Sequence, residues 1–440
     1  MTPGYITSVS ACLPFEMIEF WNSFFRYFDT IMIKLRLTIL GFFQFFVWGA
    51  WLITIGTYCF NAKHWTGAQF GAIFSTLALS SLFMPALTGY LADRFINAER
   101  LYGILQVIYG LILLYVPYVN DPDQLYYVVF GAMICYMPTI SLSNTISYAV
   151  LKSNGMDVVK AFPPIRVWGT VGFIVAMWIT NLTDSKANAN QFVIAAVAAI
   201  SLGVYAFTLP ACPPARAEKS NSSLGVISMF SLLLKPGMGL FFMFSMLLGA
   251  ALQLTNMYGD TFLEDFRSMP QYADSFVVKY STIVLSISQI SETLFILTIP
   301  FFLKRFGIKQ VMLMSMFAWV LRFGLFSLGD PAGGLWMILL SCIVYGMAFD
   351  FFNISGSLYV ENVVDAPNRA SAQGLFMMMT NGVGAFLGST ISGHVIDTWF
   401  ILPDQSKDWG GIWLTFALYS LVVALLFALV FKEPKLSKSA

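Results

Sequence analysis

A helix needs about twenty consecutive apolar residues to cross a hydrocarbon core of roughly 30 Å, and lengths of that kind recur down this whole chain. About twelve can be delimited: 37–60, 67–91, 100–119, 125–151, 164–182, 190–209, 237–260, 275–303, 308–328, 333–360, 369–397 and 411–431. Within lipid every backbone N–H and C=O must be satisfied inside the segment, so the expectation is an all-α membrane protein with twelve transmembrane helices. Composition agrees, because only 11% of residues are charged, against roughly 25% in a soluble domain.

An even number of spans puts both termini on one side. About sixteen Lys and Arg fall on that side, Lys34, Arg36, Arg94, Arg100, Lys304 and Arg305 among them, against about four opposite (Lys63, Lys186, Arg267, Lys407), so the terminal side is expected to be cytoplasmic. The opposite loops carry Asp121, Asp123, Asp260, Glu264, Asp265, Asp404 and Asp408, as an external face does. Arg322 and Lys279 read as end-of-span residues that reach the interface or an acidic partner.

The connection 210–236, rich in Pro, Ser and charge, divides six spans from six. It separates an N-terminal bundle at 32–209 from a C-terminal bundle at 237–431, followed by a tail at 432–440. The halves echo one another: Asp93-Arg94 follows the second span and Lys304-Arg305 the eighth, while Arg166 opens the fifth and Arg369 the eleventh. Such a repeat leads to two pseudo-symmetric bundles with a polar site between them near the midplane. Residues 1–31 stand apart, an N-terminal extension without the basic start of a signal peptide but with Glu16, Glu19 and Asp29 among aromatics. Either Met32 is the native start, or Phe15 to Phe28 form an interfacial helix.

Several function classes fall away. The five cysteines are scattered without CxxC spacing and read as packing residues, and His64 and His394 are isolated, so no metal site is expected. No GxxxxGK[ST] loop couples the chain to ATP. Neither a cofactor nor a nucleic-acid partner is expected.

What remains is charge inside the spans. Arg166 opens an apolar helix, and near mid-membrane an Arg costs about 2.5–3.5 kcal/mol unless it has a partner or a wet cavity. Glu292 and Asp350, both in the other half, are candidate partners. Arg166, Thr170 and Phe173 fall at i, i+4 and i+7 and share a face, as do Gln253 with Asn256, Gln289 with Glu292, and Tyr345 with Phe349. The alternatives are plain ones: Arg166 can snorkel to headgroups, the amides can merely join helices, and any single aromatic can face lipid. Asp350, amid Ala348, Phe349, Phe351 and Phe352, is harder to explain as structure alone.

Gly89-x-x-x-Asp93-Arg94 resembles the short loop motif of the major facilitator superfamily. A more specific set is Phe162-Pro163-Pro164-Ile165-Arg166-Val167-Trp168-Gly169-Thr170, Leu252-Gln253-Leu254-Thr255-Asn256-Met257, the run from Ser286 to Phe295, and Phe349-Asp350-Phe351-Phe352-Asn353-Ile354-Ser355-Gly356. In order and spacing these resemble the nucleoside:proton symporter family of bacterial inner membranes, from about Met32 to the end of the twelfth span. The resemblance implies the major facilitator fold. It also implies substrate contacts at Arg166, Thr170, Phe173, Gln253, Asn256, Gln289, Glu292, Tyr345, Phe349 and Asp350, and a gate hinge at Asp93 and Arg94.

Proton coupling would fall to Asp350 and Glu292, since desolvation favours a neutral acid in general and an approaching cation favours the anion. The expected function is proton-coupled nucleoside uptake by alternating access, carried out by a monomer in the inner membrane with lipid as its surroundings. A sugar or oligosaccharide symporter of the same fold is the alternative. A passive facilitator and an intramembrane enzyme are weaker readings, the latter because no catalytic cluster lies at a membrane surface.

Overall fold

A computed structural model describes residues 15–214, 232–234, 236–365 and 369–432. Its helices, in chain order, are α1 (Phe15–Gly49), α2 (Gly67–Arg94), α3 (Ala98–Tyr115), α4 (Pro122–Ser153), α5 (Val158–Leu182) and α6 (Asn190–Ala206). The second half gives α7 (Pro236–Leu252, continuing as Leu254–Asp265), α8 (Ser281–Ile296, bent by 55° into Ile299–Phe306), α9 (Ile308–Leu328), α10 (Leu335–Val363), α11 (Arg369–Met377 through Ala385–Trp399) and α12 (Trp409–Val430). Ten of these are long and apolar enough to cross a membrane, bent α8 makes eleven, and α6 is a shorter apolar helix of 17 residues at the sixth expected position. The all-α, twelve-helix expectation therefore holds. α1 is one continuous helix from Phe15, while residues 1–14, most of the 210–236 connection and residues 433–440 lie outside the described residues.

The halves repeat each other in their packing. In the first half α1 packs on α5, α2 on α4, and α3 on both α4 and α6. Each pair recurs six helices later, as α7 on α11, α8 on α10, and α9 on both α10 and α12. The contacts between halves, α2 with α11 and α5 with α8, exchange under the same operation. This is the signature of two pseudo-symmetric six-helix bundles.

Without a hydrophobic drive between helices in lipid, close backbone approach has to come from small residues. Gly172 of α5 faces the Phe42 carbonyl of α1, and in the symmetry-related pair Gly388 of α11 faces Ala250 of α7. Neither position has room for a Cβ. Gly172→Leu is expected to force α1 and α5 apart and destabilise the detergent-solubilised protein by about 1–3 kcal/mol. An unchanged thermal midpoint would mean that the pair has slack.

Several helix breaks lie where the halves meet. After Gly49 the chain turns irregularly before Ile55–Thr57 and the π-helical Tyr58–Ala62, and α7 is interrupted at Gln253. Ser286 interrupts α8, whose later bend precedes Pro300, a residue that cannot donate to the helical ladder. α11 relaxes into a π-helix over Met378–Gly384, where Gly382 and Gly384 fall. Irregular backbone of this kind is tolerated at membrane depth only when covered by protein or lining a wet cavity.

Candidate functional site

Arg166 is exposed although it lies well inside α5, and its guanidinium stacks over the Phe45 ring of α1 at 4.1 Å. Pro163 and Pro164, just before it, donate no N–H and so leave carbonyls of the first turn free for solvent. Among its charged neighbours the leading one is Glu292 of α8, in the opposite half. Glu292 in turn is the charged neighbour of Asp350 on α10. Arg166 and Glu292 are thus charged neighbours across the two bundles, and Glu292 and Asp350 are charged neighbours within the second. None of the described ion pairs contains any of them, so the space between Arg166 and Glu292 is not closed by direct contact.

Asp350 is only 5% exposed and its Oδ2 has no hydrogen-bond partner. Gln289 Oε1 and Asn353 Oδ1 are likewise buried and unpartnered. Three unsatisfied acceptors on neighbouring helices are unusual in a folded protein, and each calls for a donor that a ligand, water or a proton can supply. Tyr345 and Phe349 stack on each other at 5.7 Å and 20°, forming an aromatic wall on α10. Asn256 Nδ2 donates to Gln253 Oε1 at 3.3 Å beside the break in α7.

A small pocket joins both halves: Ile53 and Met177 come from the first, and Thr255, Asn256, Leu285, Ser288, Gln289, Arg322 and Tyr345 from the second. It brings together Asn256, Gln289 and Tyr345 of the expected set. Thr170 is half-buried on α5. Phe173 turns into its own bundle, with its backbone against Gly49 and its ring edge-on to Trp48 at 6.4 Å. Asp93 and Arg94 lie apart from this region at the end of α2, both exposed, with Arg94 stacked on Tyr90 at 4.7 Å.

Two sequence expectations need correction. Arg322 was expected at a span end, reaching the interface or an acidic partner, yet it is 1% exposed inside the bundle and has no carboxylate among the described ion pairs. Its partners are Thr255 Oγ1 at 3.1 Å, the Ser341 carbonyl at 2.7 Å and the Tyr345 ring at 4.4 Å. The signal was present, because Arg322 stands within an unbroken apolar run from Ala318 to Phe326, and a charge so placed faces the bundle interior. Lys186 was counted as an ordinary loop charge. It is 1% exposed and pairs with Glu264 at 2.5 Å, and nothing local in Asp184-Ser185-Lys186-Ala187 signals that burial.

That pair belongs to a latch on the side opposite the termini. Lys186 Nζ also donates to Ser281 Oγ at 2.8 Å, Ser281 donates to Asp260 Oδ1 at 2.5 Å, and Thr57 of the first half donates to Asp260 Oδ2 at 2.6 Å. Nearby, Asp397 of α11 caps the first turn of α2, accepting from Gly67 and Ala68 N at 2.6 Å each. Deeper, Trp178 donates to Ser286 and Thr282 to the Met177 carbonyl. Among the described residues, the hydrogen bonds joining the halves lie on this side or at mid-depth, where Ser81 donates to the Asn381 carbonyl. Among the described residues, the hydrogen bonds between the bundles therefore latch the far side.

Lys186→Met would leave Glu264 with only the half-exposed Arg267, at 2.7 Å. Breaking a buried pair by removing one partner typically costs about 3–5 kcal/mol, all of it in the latched state here. Far-side labelling of Ile53→Cys by an impermeant thiol reagent is expected to quicken about tenfold or more in the Lys186→Met background. Equal labelling rates would show that the pair does not hold the latch.

The family model described as "Nucleoside H+ symporter" matches residues 31–436. The xanthosine permease of Escherichia coli strain K12 is 50% identical over 403 residues, covering 91% of this chain and 96% of that protein. The nucleoside permease NupG of the same strain is 48% identical over the same shares. The crystal structure of the nucleoside transporter NupG superposes with a TM-score of 0.87, covering 91% of this chain and 100% of that one.

Proposed function

We propose a working cycle for this chain, which belongs to the nucleoside H+ symporter family and is a multi-pass membrane carrier, not an enzyme. Its substrates are nucleosides and protons, and membership of that family sets aside the sugar or oligosaccharide alternative. In the cycle a nucleoside enters between the bundles at 32–209 and 237–431. Tyr345 and Phe349 hold its base by stacking, Phe173 supports the wall from inside its own bundle against Trp48, and Thr170, Gln253, Asn256 and Gln289 meet its hydroxyls and base edges. Arg166 and Glu292 close on it from opposite sides, and Asp350, backed by Glu292, carries the proton.

The observation that supports this best is the set of buried, unpartnered acceptors on Gln289, Asp350 and Asn353, close to Glu292, whose charged neighbour Arg166 lies in the other bundle. A ligand between them adds contacts to both bundles at once, and a differential of that kind is what shifts a two-state carrier. The far-side latch then opens as the terminal side closes, with Asp93 and Arg94 at the hinge. The basic residues of the terminal side make it the cytoplasmic face of the inner membrane, and the protein works as a monomer without a cofactor.

The test is uptake of labelled uridine and adenosine into proteoliposomes under an imposed pH gradient, with competing bases and sugars. Accumulation that a protonophore abolishes, and that sugars do not inhibit, is the expected result. Uptake that never exceeds the external concentration, with or without protonophore, would make the protein a passive facilitator.

A further inference from the structure

Arg322 has five N–H donors and an unusual set of neighbours. Nε reaches Thr255 and one Nη1 hydrogen reaches the Ser341 carbonyl, but Nη2 has only Ser288 Oγ at 3.5 Å, which is also the second contact of Nη1 at 3.4 Å. A guanidinium this deeply buried is ordinarily matched by an acid or saturated by acceptors. Arg322 is neither, and it lines the pocket between the bundles.

The pocket limits what can satisfy it. Its void of about 10 Å³ is the size of one water or one hydroxyl, far too small for a base or a phosphate. Thr255, Asn256, Ser288 and Gln289 supply hydroxyls and amides around it, and Ile53 and Met177 of the other bundle cover it. The Met177 carbonyl also accepts from Thr282 of α8, which ties this side of the pocket to the latch.

We propose that Arg322 forms the far end of the nucleoside chamber and donates a hydrogen bond to a single ribose hydroxyl, with the base directed toward Arg166. The inference rests on the reading of this chamber as the nucleoside site. It adds a specificity-determining residue to the expected contacts and gives the sugar an orientation. It also explains an absent acid: a carboxylate beside Arg322 would compete for the donor that reads the hydroxyl.

The experiment measures equilibrium binding of uridine and its 2′-, 3′- and 5′-deoxy analogues to the native protein, Arg322→Gln and Arg322→Lys. The native protein is expected to bind one analogue about 10- to 100-fold more weakly than uridine, the range of a lost hydrogen bond to a charged group. Arg322→Gln is expected to bind uridine as weakly as that analogue, with no further loss when the same hydroxyl is removed, while the other two analogues keep their native ratios. A general structural role would weaken all four ligands by the same factor, and that outcome overturns the proposal. Should Arg322→Gln fail to fold, Arg322→Lys is read in the same way. Native binding that is equal for all four ligands overturns the proposal without any variant. Failure of the native protein to bind uridine at all would strike instead at the chamber as a nucleoside site.

Discussion

Asp350→Asn is expected to bind nucleoside and fail to accumulate it. Asp350 is buried with one oxygen unpartnered and a second carboxylate, Glu292, within electrostatic reach, so it can exchange a proton as the chamber fills and empties. An amide keeps the size and loses the titration. For each proton carried, one pH unit supplies about 1.4 kcal/mol, a concentration ratio of about ten. Under such a gradient the native protein should reach a ratio of about ten or more, and the variant should settle near one. Its affinity should stay within a few-fold, because the Tyr345–Phe349 wall is untouched. Native-like accumulation by Asp350→Asn would move the proton to Glu292.

Arg166→Ala is expected to weaken nucleoside binding by about 10- to 100-fold, the cost of one charge-assisted contact in a desolvated site. The competing role for Arg166, reaching out to lipid headgroups, predicts no change in affinity at all. Its stacking on Phe45 of α1, with Glu292 as its leading charged neighbour, favours the inward role. Glu292→Gln should cost a similar factor. The double variant should lose less than the product of the two, since both residues serve one ligand-bridged network. Arg166→Lys should fall between, retaining charge without the planar fork.

The twelve helices were legible because lipid enforces one rule on every span, and hydropathy reads that rule directly. That Arg166 has Glu292, and Glu292 has Asp350, as a charged neighbour was legible for a related reason, as charge within an apolar segment has few stable destinations. The same rule, applied to Arg322, would have placed it inside the bundle; proximity to the end of α9 concealed it. Lys186 was beyond reach from sequence, since its burial depends on Glu264, Ser281 and Val278 arriving from the other half. Helix breaks at Gln253 and Ser286 also escaped, because neither residue is a breaker by itself and the unwinding is a property of the interface. Facing direction was only partly predictable: Phe173 shares a helical face with Arg166 by spacing, yet close contact with Gly49 turns its ring into the bundle.

The measurement that bears most directly on this account is a crystal structure with 5-iodouridine, whose iodine can be located by anomalous scattering. The expected result places the ligand between α5 and α8, within hydrogen-bond distance of Arg166 on one side and of Gln289 or Glu292 on the other. A nucleoside held by residues of one bundle alone, with Arg166 and the acids left unengaged, would contradict it.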